Sequence, residues 1–461
     1  MTRSSIAVAL ICCSLLAGCG GRGAAPAVTG AGLSGRAASE PGARTDTNGN
    51  DWPEFRRNDQ RTGENPYQTA ITAQNVGTLA PKWTKSTPGV FASAVVVNGI
   101  IYQGDLAGNL NAWKIADGTQ VWTFKGNGPF ISTPYYDTST NTLYVGDKGG
   151  TNGSSPSQLL AIDAATGKAK WAYNAPNGSE IESSPLLYKG VVYVGNGDKD
   201  ENKNECDPNK QFVGVSAATG KLVSSLNLAP KGLTGADVWA SPMLDPSNNL
   251  YVATGNECAT IIKPFPYADA ILHVNPSKPV MHVDWAVQSV VGPGNDVDFG
   301  ATPLYVNNTI VDTGKDGYTY AIDPSGKLLW HTNTGAAVGS SATDGVRLFI
   351  PTEQIPPQCS KGQLCGQFEA VNLSDGSVAW SLPVYEGSGQ WSEITSPVVS
   401  NGVVYAAFNN TIWGLDPATG KTLWSYPVNA TVYAGIAVVN GGVLVGDFGT
   451  GTYYDFTPNG K

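Results

Sequence analysis

Asp163-Ala-Ala-Thr-Gly167-Lys-Ala-Lys-Trp171 recurs near the C-terminus as Asp416-Pro-Ala-Thr-Gly420-Lys-Thr-Leu-Trp424. Asp117-Gly118…Trp122, Asp323…Gly326…Trp330 and Asn372…Gly376…Trp380 are variants, each with Trp four residues after Gly. A sixth copy, Ala217-Ala-Thr-Gly220-Lys-Leu-Val-Ser224, has lost its Trp. The spacings between Gly118, Gly167, Gly220, Gly326, Gly376 and Gly420 are about 50 residues except for one doubled gap. One repeat near 240–285 is therefore degenerate, with Trp285 as the candidate for its Trp. Repeats of this size, each with several short alternating strands, mark a β-propeller.

Each unit reads alike. A Ser/Thr-Pro strand leads to a partner ending in Tyr-Val-Gly, as in Ser184-Pro185 and Val192-Tyr193-Val194-Gly195. A third strand enters the Asp…Gly turn, where Gly accepts positive φ, and Trp opens a fourth. This leaves the Trp free to pack between blades, so the turn is structural. Seven units run from Val90 to Val428, and an incomplete eighth from Thr431 to Pro458. The strand it lacks is available upstream at Leu79-Ala-Pro-Lys-Trp83-Thr-Lys, and borrowing it would leave no free edge. The expected fold is all-β: an eight-bladed β-propeller of four-stranded antiparallel blades with Trp-docking turns, the last blade closed by an N-terminal strand.

Composition agrees. Of 461 residues, 56 are Gly and 12 are Trp, and only 14% are charged, which excludes coiled coils and disordered polyampholytes. A net charge of −9 with no Lys/Arg block argues against nucleic acid as a partner. Residues 1–18 carry Arg3 and an apolar run from Ile6 to Leu16, too short to span a bilayer, and read as an export signal. Leu16-Ala17-Gly18-Cys19 resembles a bacterial lipobox, which implies lipidation of Cys19 and anchoring to the envelope, at the periplasmic face of the outer membrane or the outer face of the cell membrane. Residues 19–50, poor in large apolar side chains, read as a flexible tether, and 51–461 as one domain. Export favours disulfides, expected between Cys206 and Cys258 and between Cys359 and Cys365. No Cys-x-x-Cys-His is present, so no c-type haem is expected.

From about residue 51, with its opening Asp51-Trp52-Pro-Glu-Phe-Arg56, the chain resembles the quinoprotein-type propellers. That superfamily holds both pyrroloquinoline quinone (PQQ) dehydrogenases and non-catalytic scaffolds, among them the propeller lipoprotein of the outer-membrane barrel-assembly machinery. The degenerate blade, Val238-Trp239-Ala-Ser-Pro242 through Thr254-Gly255-Asn256, resembles the dehydrogenase segment where Trp forms the floor under PQQ and Asn binds calcium. Asp296-Val-Asp298-Phe-Gly300 resembles the segment ending in the catalytic Asp, and Asp296 is carried with it as a cofactor-side residue. Thr313-Gly-Lys315-Asp-Gly317 resembles the turn placing a cation beside the quinone oxygens.

The resemblance further implies a calcium-binding Glu before Phe212, at Glu205 with Glu201 and Asp200 as alternatives, so that Glu205, Asn256 and Asp298 would hold Ca²⁺. Gly300 stands where lanthanide enzymes carry an extra Asp. The adjacent-Cys disulfide of many relatives is absent, with Tyr135-Tyr136 at its counted position. His273, His282 and His331 are too scattered for a His-based metal site and are expected on blade surfaces. Two functions follow as expectations. One is lipid-anchored, PQQ- and Ca²⁺-dependent oxidation of a small alcohol or sugar, with an external cytochrome or quinone as acceptor. The other is a non-catalytic scaffold with envelope proteins as partners.

Overall fold

The computed structural model describes residues 49–461, apart from 151–153, 177–178, 199–210, 232, 234, 257–264, 292–296, 355–363, 387–394 and 409. The export signal, Cys19, Asp200, Glu201, Glu205, Cys206, Cys258, Asp296 and Cys359 lie outside the described residues, and of Cys365 only the backbone is described. Both expected disulfides therefore fall outside them too.

The described residues form eight four-stranded antiparallel sheets plus one two-stranded ribbon. Blades 1 to 7 occupy residues 95–125, 135–174, 186–226, 243–288, 304–333, 342–386 and 398–427, each adding strands in chain order. Blade 8, residues 437–458, takes its fourth strand from Leu79–Ser86, which pairs antiparallel with Thr452–Pro458. The borrowed strand thus closes the ring as expected. The core lies between blades. One layer joins Val95, Tyr102 and Leu110 of blade 1 to Tyr136, Leu143 and Leu160 of blade 2, and similar layers follow round the ring. Each large apolar side chain so buried contributes roughly 1.5–3 kcal/mol.

The repeated turn works by docking Trp onto the glycine of the next blade. A Cβ on Gly167 would lie 2.6 Å from the Trp122 ring, and one on Gly220 would lie 2.8 Å from Trp171. The same pairing joins Trp83 to Gly118, Trp285 to Gly326, Trp330 to Gly376 and Trp380 to Gly420. Trp285 is confirmed as the Trp of the degenerate blade. Each indole N–H also donates to a backbone carbonyl of the next blade, as from Trp171 to Ala217 at 2.9 Å. At the ring closure Trp424 donates to Leu79 at 3.1 Å.

Two further devices were not legible in the repeat. The hydroxyl of the Ser/Thr-Pro step, or of Ser340 where Ser341 takes the place of Pro, accepts an N–H from the preceding blade: Ser93 to Thr133, Thr133 to Ser184, Ser184 to Ser241, Ser241 to Thr302, Thr302 to Ser340 and Ser340 to Ser396, all at 2.9–3.0 Å. The segment before the first strand also crosses the channel and bonds to the innermost strand or its Pro in every blade. Trp52 donates to Val96, Pro53 accepts from Tyr136, and Asp59, Gln60, Thr62 and Gly63 accept from Leu244, Tyr305, Thr343 and Val399. Arg61 reaches Pro185, and Asn65 reaches Val438 at 2.8 Å. Arg61 is fully buried against Glu54 at 2.8 Å, a pair whose desolvation is met by carbonyls of Pro242 and Phe55.

Candidate functional site

The connectors that precede the innermost strands and the loops that follow the second strands meet at one end of the ring. Backbone hydrogen bonds fix them in register. Lys315 N–H donates to the Asp298 carbonyl at 2.9 Å, and Gly255 N–H makes the same bond to Asp237 at 2.8 Å one blade earlier. Phe299 N–H donates to Thr254, and Ala236 N–H donates to Asn256 at 2.8 Å. Segments 236–240, 254–256 and 298–300 are therefore knitted together, and the 313–317 turn is tied to the third.

Side chains converge accordingly. The half-buried Trp239 indole donates from Nε1 to Asp298 Oδ2 at 3.0 Å. Asp298, 1% exposed, pairs through Oδ1 with Lys315 Nζ at 2.8 Å, and that ammonium lies 5.2 Å from the Trp239 ring centroid. Gly300 is obligatory here, since a Cβ there would come within 2.0 Å of the Trp239 ring. One carboxylate is thus held between a cation and an indole N–H. Trp239, Asp298 and Lys315 are brought together, and Asn256 stands beside them through its backbone.

The model of the family described as outer membrane protein assembly factor BamB, built on PQQ-type repeats, matches residues 56–264 and 279–447. The chain belongs to this PQQ-repeat propeller family. Among curated relatives of this propeller, a polyvinylalcohol dehydrogenase of a Pseudomonas species is 23% identical over 446 residues, covering 82% of this chain and 68% of that protein. A quinohemoprotein alcohol dehydrogenase of Comamonas testosteroni is 31% identical over 149 residues, covering 27% of this chain and only 19% of its own length. The solved structure bearing that last name superposes with a TM-score of 0.72 at 19% identity, over 89% of this chain and 81% of that one. BamB of Moraxella catarrhalis superposes with a TM-score of 0.62 at 13% identity, over 82% and 99%. At such identities the superpositions speak for the fold alone.

Several residues bordering the PQQ-repeat propeller's site carried no motif. Asp237, 5% exposed, lies two residues before Trp239, and a Cβ on Gly255 would meet its Oδ1 at 1.9 Å. The Gly in Thr254-Gly255-Asn256 was the available signal. Lys148 bridges Glu180 at 2.8 Å and Glu182. Burial alone would push the Lys148 ammonium down, but Glu182 and Glu180 together hold it above the usual lysine range. Glu180 pairs with Gly197, where a Cβ would lie 3.3 Å from the Trp239 Cβ, so the Glu180 backbone stands one strand from Trp239.

Tyr135 and Tyr136, at the counted position of the adjacent-Cys pair, are core, each 5% exposed and packed between blades. His273 is half-buried rather than exposed: it stacks on Tyr251 at 5.1 Å, lies tilted against Trp285 at 5.7 Å, and burial lowers its imidazole pKa against the pull of Asp284. His282 is exposed beside Asp284, and His331 stacks on Tyr318. No cluster of three metal-binding side chains occurs among the described residues.

Proposed function

We propose that this chain is an exported, lipid-anchored quinoprotein that oxidises an alcohol or sugar and passes the electrons to a separate cytochrome or quinone. One observation carries the reading: a half-exposed indole with a carboxylate and an ammonium fixed at its edge, Trp239 with Asp298 and Lys315. A flat aromatic floor with a cation beside it suits a planar, anionic quinone. The fit extends to Gly300, whose missing Cβ leaves the ring its place. The names of the relatives above point the same way.

When bound, PQQ would supply the two-electron acceptor and Ca²⁺ the Lewis acid, held by Asn256, Asp298 and Glu205 or its acidic neighbours Glu201 and Asp200. Asp298, held by Lys315 and the Trp239 N–H, would take the hydroxyl proton of the alcohol. Lys315 would also stabilise negative charge that develops on the quinone side of the site. Trp239 would orient the ring and exclude water from one face. Lys148, Glu180 and Glu182 would shape the adjoining wall.

The second reading, a scaffold presenting its loops to envelope proteins, is supported by the match to the family model described as BamB and by the core position of the Tyr pair. Titration of PQQ into protein beginning at Gly20, with and without Ca²⁺, separates the two. Calcium-dependent binding near one equivalent, lost in Asn256→Ala, is expected. Absence of both heat and thermal stabilisation at saturating PQQ would exclude the quinoprotein reading.

A further inference from the structure

Across the ring from Trp239 the same connector and loop positions are aromatic. Phe448 follows its second strand, Gly442–Gly446, by two residues, as Lys315 follows Thr309–Thr313. Its N–H donates to the Thr431 carbonyl at 2.8 Å, the counterpart of the Lys315 to Asp298 bond. Tyr433 stands two residues after Thr431, as Gly300 stands after Asp298. Phe91 stands two residues after Gly89, whose carbonyl accepts from Leu106 in the same way. The register thus places Phe91, Tyr433 and Phe448 at the site end of the propeller, on blades 8 and 1, half a ring from blades 4 and 5.

The three rings form one cluster. Phe91 stacks on Tyr433 at 5.5 Å and 23°, while Phe448 meets Tyr433 edge-on at 4.8 Å and Phe91 at 6.4 Å. Phe91 remains 40% exposed and Phe448 38%, at positions where neither closes a blade joint. Blades 2 to 5 and their connectors carry Lys148, Glu182, Asp298 and Lys315 at the same end, whereas the neighbours of the cluster include Gly89, Val90, Leu106 and Ala430, and the carboxylate next to Phe448, Asp447, is fully buried and bonded to Thr450. One wall of the opening is charged and the opposite wall is aromatic and neutral.

We infer that Phe91, Tyr433 and Phe448 form a distal subsite for an extended, uncharged polyhydroxyl chain whose reacting end lies at Asp298. This rests on the proposed alcohol oxidation and names its substrate class. Aromatic faces take the C–H faces of such a chain, the Tyr433 hydroxyl can exchange hydrogen bonds with its hydroxyls, and a neutral wall gives no grip on an ion. A substrate must be long to touch both walls, since the two sites are four blades apart in a ring of eight.

The test uses full-length protein without its first 19 residues and needs no cofactor. Oligomeric polyvinyl alcohol and a malto-oligosaccharide of similar length are titrated into the wild type and into Phe91→Ser/Phe448→Ser by calorimetry. Both substituted rings are substantially exposed, and unchanged melting of the double variant checks its fold. Binding of at least one probe, weakened about tenfold or more in the variant, is expected, and which probe binds tells a linear chain from a sugar. No binding of either probe to the wild type, or equal binding to both proteins, overturns the subsite. If the PQQ titration succeeds, KM for a long alcohol should rise in the variant while kcat/KM for a short alcohol stays put. If that titration fails while the probes still bind through the rings, the oxidation is wrong and the subsite stands.

Discussion

The joint between blades 2 and 3 and the joint between blades 3 and 4 are neighbours built on opposite plans. At the first, Trp171 covers Gly220 and donates to Ala217. At the second, blade 3 offers Ser224 in place of Trp and blade 4 has no glycine turn to receive one. A backbone bridge replaces the dock, with Ser225 donating to Pro279 at 3.2 Å and accepting from Met281 at 3.0 Å. Both halves of the dock are lost together at this joint, whereas at the ring closure Trp424 keeps its N–H bond to Leu79 with no glycine beneath its ring. The undocked joint is the one beneath Trp239.

The sharpest break in that comparison is chemical. Asp298→Asn keeps the shape but loses the proton acceptor, and should lower alcohol turnover by about 10²–10⁴, measured after loading with PQQ and Ca²⁺, and also lower the melting temperature because Lys315 loses its buried partner. Truncating a dock comes next. Trp171→Ala should destabilise by about 2–4 kcal/mol in chemical denaturation, the indole being only half-buried, whereas Ser224→Ala at the equivalent position of the undocked joint should stay within about 0.5 kcal/mol. Equal losses at the two positions would show that the joints do not differ as described.

The closing blade gives the smallest, pH-dependent effect. Asp455, 1% exposed in the strand opposite Trp83, has its carboxyl pushed up to about 7 by burial, with Lys82 pulling it down only in part. Because the folded value lies above the unfolded 3.8, its stabilising share is present below pH 4 and is lost as pH rises toward 7. Asp455→Asn should therefore raise the melting temperature at pH 8 by a few degrees and make little difference at pH 4. A gap that widens toward acid would reverse the assignment.

How much could be read in advance follows the same division. Trp122, Gly167 and their kin were legible because the turn is a local demand: a capping Asp, a positive-φ Gly and a Trp at fixed offset. Trp239, Asn256, Asp298 and Lys315 were legible only by resemblance. Asp237, Lys148 and Glu180 were not, having no spacing that sets them apart from ordinary loop charges. The aromatic cluster of Phe91, Tyr433 and Phe448 escaped for another reason: its members come from the two ends of the chain.

Sequence alone determined the propeller and its eight blades, since both rest on a repeat of some fifty residues, and it supplied the borrowed strand through the strand that the last repeat lacks. Tertiary structure decided which connectors face one another. The hydroxyl ring from Ser93 to Ser396, the N-terminal segment touching every blade, and the charge-and-indole clasp on Asp298 are contacts between segments far apart in the chain. Such contacts form only after ring closure has fixed the connectors in space, so no local pattern records them.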